Sequence, residues 1–78
     1  MTRPIFEIAR DIQNDWKNVS PYARPYLNAM HSLTSVNDKY ILDSGRSVLL
    51  YFLSNAQGWR GEKARAVKKE INDIIKHF

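Results

Sequence analysis

His31 and His77 are the chain's side chains best suited to proton transfer near neutral pH, and their positions bear on whether it holds an acid–base site. They stand far apart, and His77 is one residue from the end of the sequence. His31 adjoins Ser32, but neighbours on a helix point about 100° apart, so the two do not form a nucleophile and its base. Glu7, Asp11 and Asp15 recur every four residues and would share one helix face. Lacking the glycine-containing loop of a calcium site, they read as a solvated or salt-bridged face rather than a cation cage. The sequence contains no cysteine, which excludes thiolate catalysis, disulfides, Cys-ligated zinc and iron–sulfur clusters together. Gly58-Trp59-Arg60-Gly61 has neither the preceding strand nor the lysine spacing of a phosphate-cradling loop. The expectation is no catalytic residue, no metal site and no cofactor, and therefore not an enzyme.

Binding is the chemistry that remains. Between Arg60 and Lys69 the cations Arg60, Lys63, Arg65, Lys68 and Lys69 stand against Glu62 alone, an excess equal to the formal net charge of +4 for the whole chain. A compact patch of this kind neutralises phosphates and releases their counterions, which gives salt-dependent binding without sequence readout. Trp59 beside Arg60 adds a stacking surface for an unpaired base. The expected binding face is therefore Trp59, Arg60, Lys63, Arg65, Lys68, Lys69 and Lys76. A lysine-rich outer face is also what any surface helix presents, and the acidic stripe of Glu7, Asp11 and Asp15 would neutralise it if the first and last helices lay side by side. Read as a helix-turn-helix around Gln57 to Gly61, the chain offers Ser54, Ala64 and Val67 at the required spacings, a loose fit.

Aromatic content points to a protein partner as well. Two Trp, four Tyr and three Phe are many for so small a core. Phe6, Tyr22, Tyr26, Tyr51 and Trp59 are not all expected inside, although core packing is the ordinary fate of each ring alone. Tyr, Trp and Arg are the residues that anchor protein interfaces, so a partner-protein or homodimer surface follows.

The elements that must position these residues are helical, because apolar residues recur at helical spacing and no stretch alternates cleanly enough to read as a half-buried strand. A first helix starts with Thr2 as N-cap and Pro4 in its first turn and runs to about Asn18, its apolar stripe being Ile5, Ile8, Ala9, Ile12 and Trp16. Ser20-Pro21 caps a second, shorter element, with either a turn before a helix starting at Pro25 or a kink there; it ends near Leu33, ahead of the turn-rich run Thr34 to Asp38. Tyr40, Ile41 and Leu42 are expected to tuck a loop onto the core. Asp43 or Ser44 caps a third helix through about Gln57, closed by Gly58 in the left-handed conformation. The last helix runs from Arg60 or Gly61 to His77, with Ala64, Val67, Ile71, Ile74, Ile75 and Phe78 in one arc. The expected fold is all-α, one domain over residues 1–78, a small bundle of three longer helices plus one shorter helix.

The run Tyr51-Phe52-Leu53-Ser54-Asn55-Ala56, then Trp59-Arg60-Gly61-Glu62 and Ala64-Arg65, with Lys68 and Glu70 following, resembles small uncharacterised helical proteins of tailed phages and mobile genetic elements. The resemblance extends to Ile5-Phe6-Glu7-Ile8-Ala9 and covers about half the chain. It implies an accessory role, binding a host or phage macromolecule, and brings no activity to any residue.

At 78 residues the chain builds one thin core and hardly a deep cleft. Its longest apolar run, the six residues Val48 to Leu53, falls short of the roughly 20 that a membrane-spanning helix needs. The acidic start is unlike a secretory segment, so a cytoplasmic, membrane-free protein is expected. The functional expectation is a non-enzymatic accessory protein that binds a host or phage protein, with DNA or RNA held by the basic face of the last helix as the alternative.

Overall fold

In the computed structural model, which describes residues 3–40 and 43–77, the chain is mostly helical. The helices are α1 (Ile5–Asp15), α2 (Arg24–Met30), α3 (Gly45–Ser54) and α4 (Glu62–His77). Between α2 and α3, β1 (Lys39–Tyr40) and β2 (Asp43–Ser44) pair antiparallel, Lys39 opposite Ser44. Two residues per strand are too few to show as an alternating pattern, which is why the sequence gives no sign of this ladder. The cap expected at Thr2, the packing expected of Ile41 and Leu42 with the Tyr40 side chain, and the place of Phe78 in the last apolar arc all lie outside the described residues.

Helix α1 begins later than its periodicity suggests because its first free N–H groups are met by backbone rather than by a cap side chain. Ile5 N–H donates to the Thr34 carbonyl at 3.0 Å and Phe6 N–H to that of Leu33 at 2.9 Å, with Pro4 in the N-cap position. This seats the start of α1 on the segment that follows α2. Ser20 organises the next turn: its Oγ accepts from Ala23 N–H at 3.2 Å and donates to the Asn55 carbonyl at 3.3 Å. Helix α2 then starts at Arg24, and Pro25 sits in its first turn, where no N–H is needed. The turn, not a kink, resolves the crowding of the two prolines.

Ser44 caps α3, its Oγ accepting from Ser47 N–H at 3.2 Å. Gly45 follows because the chain passes too close for a side chain: an added Cβ would stand 2.5 Å from the Ser35 carbonyl oxygen. The Gly45 and Arg46 N–H groups donate to the carbonyls of Asp38 and Val36, so the 35–38 segment lies across the start of α3. Asp38 Oδ2 in turn accepts from the Thr34 and Ser35 N–H groups, which hold its carboxyl below the usual carboxylate range. At its other end α3 stops at Ser54, short of Gln57, with Asn55 as the C-cap. Gly58 does not close it in the left-handed conformation; among the described residues that backbone state falls at Gly61, φ 115°, just ahead of α4.

The apolar arcs of the two amphipathic helices are buried as expected: Ile5, Ile8, Ala9 and Ile12 on α1, and Ala64, Val67, Ile71, Ile74 and Ile75 on α4. Val48, Leu49 and Phe52 fill the middle from α3, and Leu27, Met30 and Leu33 close the α2 side. Each of α1 and α3 packs chiefly against α2 and α4, so α1 and α3 face each other across the core. Among the described residues no helix is long and apolar enough to cross a membrane.

Candidate functional site

The face expected to bind through Trp59 and Arg60 is divided by the fold into parts with different jobs. Trp59 is only 2 % exposed, a correction to its expected role as a stacking surface for a partner. Its indole lies parallel to that of Trp16, 9° between planes and 5.9 Å between centroids, and edge-on to Phe52 at 6.5 Å. Indole Nε1–H donates to Asp15 Oδ2 at 2.8 Å, which satisfies the one polar atom of the buried ring. Trp59 is thus a core residue held from 44 positions away in sequence.

Lys68 is likewise used inside the fold. Its ammonium donates to the carbonyls of Ala56 at 2.8 Å and Trp59 at 2.7 Å and lies 5.9 Å from the Trp59 ring centroid. Burial, with the Arg60 guanidinium nearby, holds its pKa below the ordinary lysine range. The side chain binds the α3–α4 connection from the flank of α4, so it is not the free phosphate contact the charge run implied. Lys63 points the other way, with Nζ 3.6 Å from Asp11 Oδ2. It joins a cluster in which Arg3 makes a forked contact with Glu70, Nε to Oε2 at 2.8 Å and Nη2 to Oε1 at 2.9 Å, and also bonds Asp11. The Arg3 guanidinium holds the Asp11 carboxyl well below the usual carboxylate range, and Glu70 foremost raises the pKa of Arg3.

Of the acidic stripe of α1, Asp11 therefore meets α4 through Lys63, and among the described residues none of its carboxylates pairs with Arg65 or Lys68. Asp11 takes Arg3 and Lys63, and Asp15 takes the Trp59 indole. Arg60, Arg65, Lys69 and Lys76 remain exposed, with no carboxylate within ion-pair distance among the described residues. Arg65, Lys69 and Lys76 fall within roughly 40° of arc at 100° per residue, on the outer side of α4. Glu62 and Asp73 border that ridge, both exposed as well.

A second surface lies on α2 and α3. These helices run antiparallel, as the contacts Ser20 to Asn55, Tyr26 to Tyr51 and Val36 to Arg46 show. Tyr22 is 76 % exposed, Tyr51 49 % and Leu50 45 %, the large apolar side chains most open to solvent among the described residues. The Tyr26 and Tyr51 rings meet across the seam, centroids 5.4 Å apart and planes tilted 30°. Phe6, by contrast, is half-buried. Neither α2 nor α3 contains an acidic residue, and none occurs in residues 16–37 or 44–61. Arg24 and Arg46 are exposed on the same two helices: Arg24 falls between Tyr22 and Tyr26 in the chain, and Arg46 sits one turn before Leu50. Sequence reasoning flagged Tyr22, Tyr26 and Tyr51 but placed the working face elsewhere. The available signal was the absence of acid from two long stretches that carry the surplus tyrosines.

Among the described residues no group of three or more His, Cys, Asp or Glu stands together as a metal site would require. His31 is exposed at the end of α2 with Nε2 2.7 Å from Gln13 Oε1, a surface hydrogen bond between α1 and α2. No family model matches the chain, and no curated protein or solved structure is similar enough to it to count as a match.

Proposed function

We propose that this compact bundle of three longer helices and a shorter one is a non-enzymatic accessory protein of phage or mobile-element type, working in the cytoplasm by binding a host or phage protein. The observation that carries the reading is the exposure of Tyr22, just before α2, and of Leu50 and Tyr51 on α3, the large apolar side chains most open to solvent among the described residues. Large apolar side chains cluster at the solvent boundary of a monomer chiefly where something docks, and tyrosine is among the residues that dominate interface energies. Placing the face here, rather than at Trp59, follows from the burial of that indole. The test is capture of a partner from host extract by the tagged chain, compared with a Tyr22→Ala/Tyr51→Ala variant of unchanged helicity. Loss of the captured band in the variant supports the reading; equal capture by both refutes it.

A second reading, DNA or RNA held by the exposed ridge of Arg65, Lys69 and Lys76, is favoured by the lack of ion-pair partners for these three among the described residues. It requires binding that weakens steeply as salt rises from about 50 mM and that falls when the three are neutralised.

A further inference from the structure

The segment that follows α2 meets the start of α1 without packing tightly on it, and a recess of about 200 Å³ lies between them and α4. Ile5, Val36 and Ile74, all buried, give the recess its apolar lining, while Thr34, Asn37 and Arg3 bring polar groups to it. The segment is clamped from both sides. The Leu33 and Thr34 carbonyls accept from the first N–H groups of α1, and the Val36 and Asp38 carbonyls accept from Arg46 and Gly45 at the start of α3. From within, the Asp38 carboxylate holds the Thr34 and Ser35 N–H groups. A span fixed at so many points does not sink onto Ile5 and Ile74, so the recess is preformed, as small-molecule sites usually are.

Charge and hydrogen bonding narrow what this recess takes. Arg3 is the ionic residue of its lining, and that guanidinium is already met by Glu70 and Asp11, with Lys63 beside the latter. Two cations balance two carboxylates there, so neither an anion nor a cation recovers its lost hydration. Thr34 and Asn37 spend their backbone N–H groups on Asp38 and on Ser35 Oγ, and among the described residues neither side chain is hydrogen-bonded. A hydroxyl and a carboxamide are thus left for a guest. An apolar cavity of about 150 Å³ takes a benzene ring, so this volume suits one ring with a small substituent. We infer that the recess binds a small neutral molecule of that size bearing one hydroxyl, its apolar body on Ile5, Val36 and Ile74 and its hydroxyl at Thr34 and Asn37. The site shares no residue with the Tyr22, Leu50 and Tyr51 surface, so it neither requires nor replaces the protein-binding reading.

The full chain, isotopically labelled, is titrated with p-cresol, with toluene, which lacks the hydroxyl, and with p-toluate, which adds a charge. The expected result is saturable amide shifts with p-cresol confined to the recess, around Ile5, Thr34 to Asn37 and Ile74. Toluene should bind about threefold to tenfold more weakly for want of one hydrogen bond, and p-toluate more weakly still. Thr34→Val/Asn37→Ala, at two exposed positions, should bring p-cresol down to the level of toluene and leave toluene unchanged. Ile74→Phe, whose larger side chain occupies the recess, should abolish binding of both; if it fails to fold, the exposed pair still decides. The inference is overturned if p-cresol gives no saturable shifts, if its shifts fall elsewhere, or if toluene or p-toluate binds as tightly. It is overturned equally if p-cresol binds only in Phe78→Ala, which would give the recess to a side chain of the same chain.

Discussion

The seam between α1 and α4 and the outer face of α2 and α3 draw on the same kinds of residue, aromatic rings and cations, and leave them in opposite surroundings. At the seam and the adjoining connection, the polar groups are answered within the fold: the Trp59 indole by Asp15, Arg3 by Glu70 and Asp11, and the Lys68 ammonium by two carbonyls. On α2–α3, Tyr22 and Tyr51 face solvent and Arg24 and Arg46 have no carboxylate on their own helices. The difference teaches that residue type does not mark a binding surface in so small a domain. What separates the two regions is whether the fold has already supplied the partner.

The largest test of this contrast is Trp59→Ala, which removes the centre of the aromatic cluster and leaves the Asp15 carboxylate without its indole; a loss of about 3–5 kcal/mol in chemical denaturation is expected. A loss below about 1 kcal/mol would mean that the indole is not buried as described. Next is Gly45→Ala, in which the new methyl group meets the Ser35 carbonyl oxygen. Denaturant midpoints should report about 1–3 kcal/mol of destabilisation, whereas an exposed helix position would gain from the same change.

Acid should separate the two regions more gently. Because Arg3 depresses the Asp11 pKa in the folded state, the folded protein binds that proton less readily than the unfolded chain does. The stabilisation is present above about pH 4, the ordinary carboxylate value, and is lost as pH falls toward the depressed one. The ion-paired side chains keep about a third of their exposure, so the effect stays below about 1 kcal/mol. Asp11→Asn should flatten this part of the acid limb of stability against pH. Smallest is Tyr22→Ala, which should leave stability within about 0.5 kcal/mol while weakening partner capture, because the ring contributes little to the folded core. If stability fell as far as in Trp59→Ala, the distinction between the two regions would collapse.

The helical class and both amphipathic arcs were legible, because Ile5, Ile8 and Ile12, or Ile71, Ile74 and Ile75, repeat with the helix and need only their own neighbours to be read. Trp59 was not. It sits in a connection, where no period assigns a side to a residue, and its burial is decided by Trp16 and Asp15 in a distant part of the chain. Lys68 lies at the border of the α4 arc, where a long aliphatic stem follows the apolar face and the ammonium finds carbonyls that no wheel displays. The tyrosines of α2–α3 were visible as surplus, but whether surplus rings end up outside depends on which helices meet, and the antiparallel pairing of α2 with α3 is a tertiary fact.

The parallel stack of Trp16 on Trp59 also gives the molecule a built-in optical reporter. Both tryptophans of the chain stand in this single contact, so all indole absorption and emission originates from one end of the fold, where the α1–α2 and α3–α4 connections meet. Two nearly parallel indoles at 5.9 Å couple their excited states, which gives the indole bands of the dichroism spectrum a contribution that depends on this contact. That contribution should vanish when the two connections part, and it should persist through any event confined to the exposed ring of Tyr22, so one spectrum can follow docking of the connections while tyrosine signals follow the outer face.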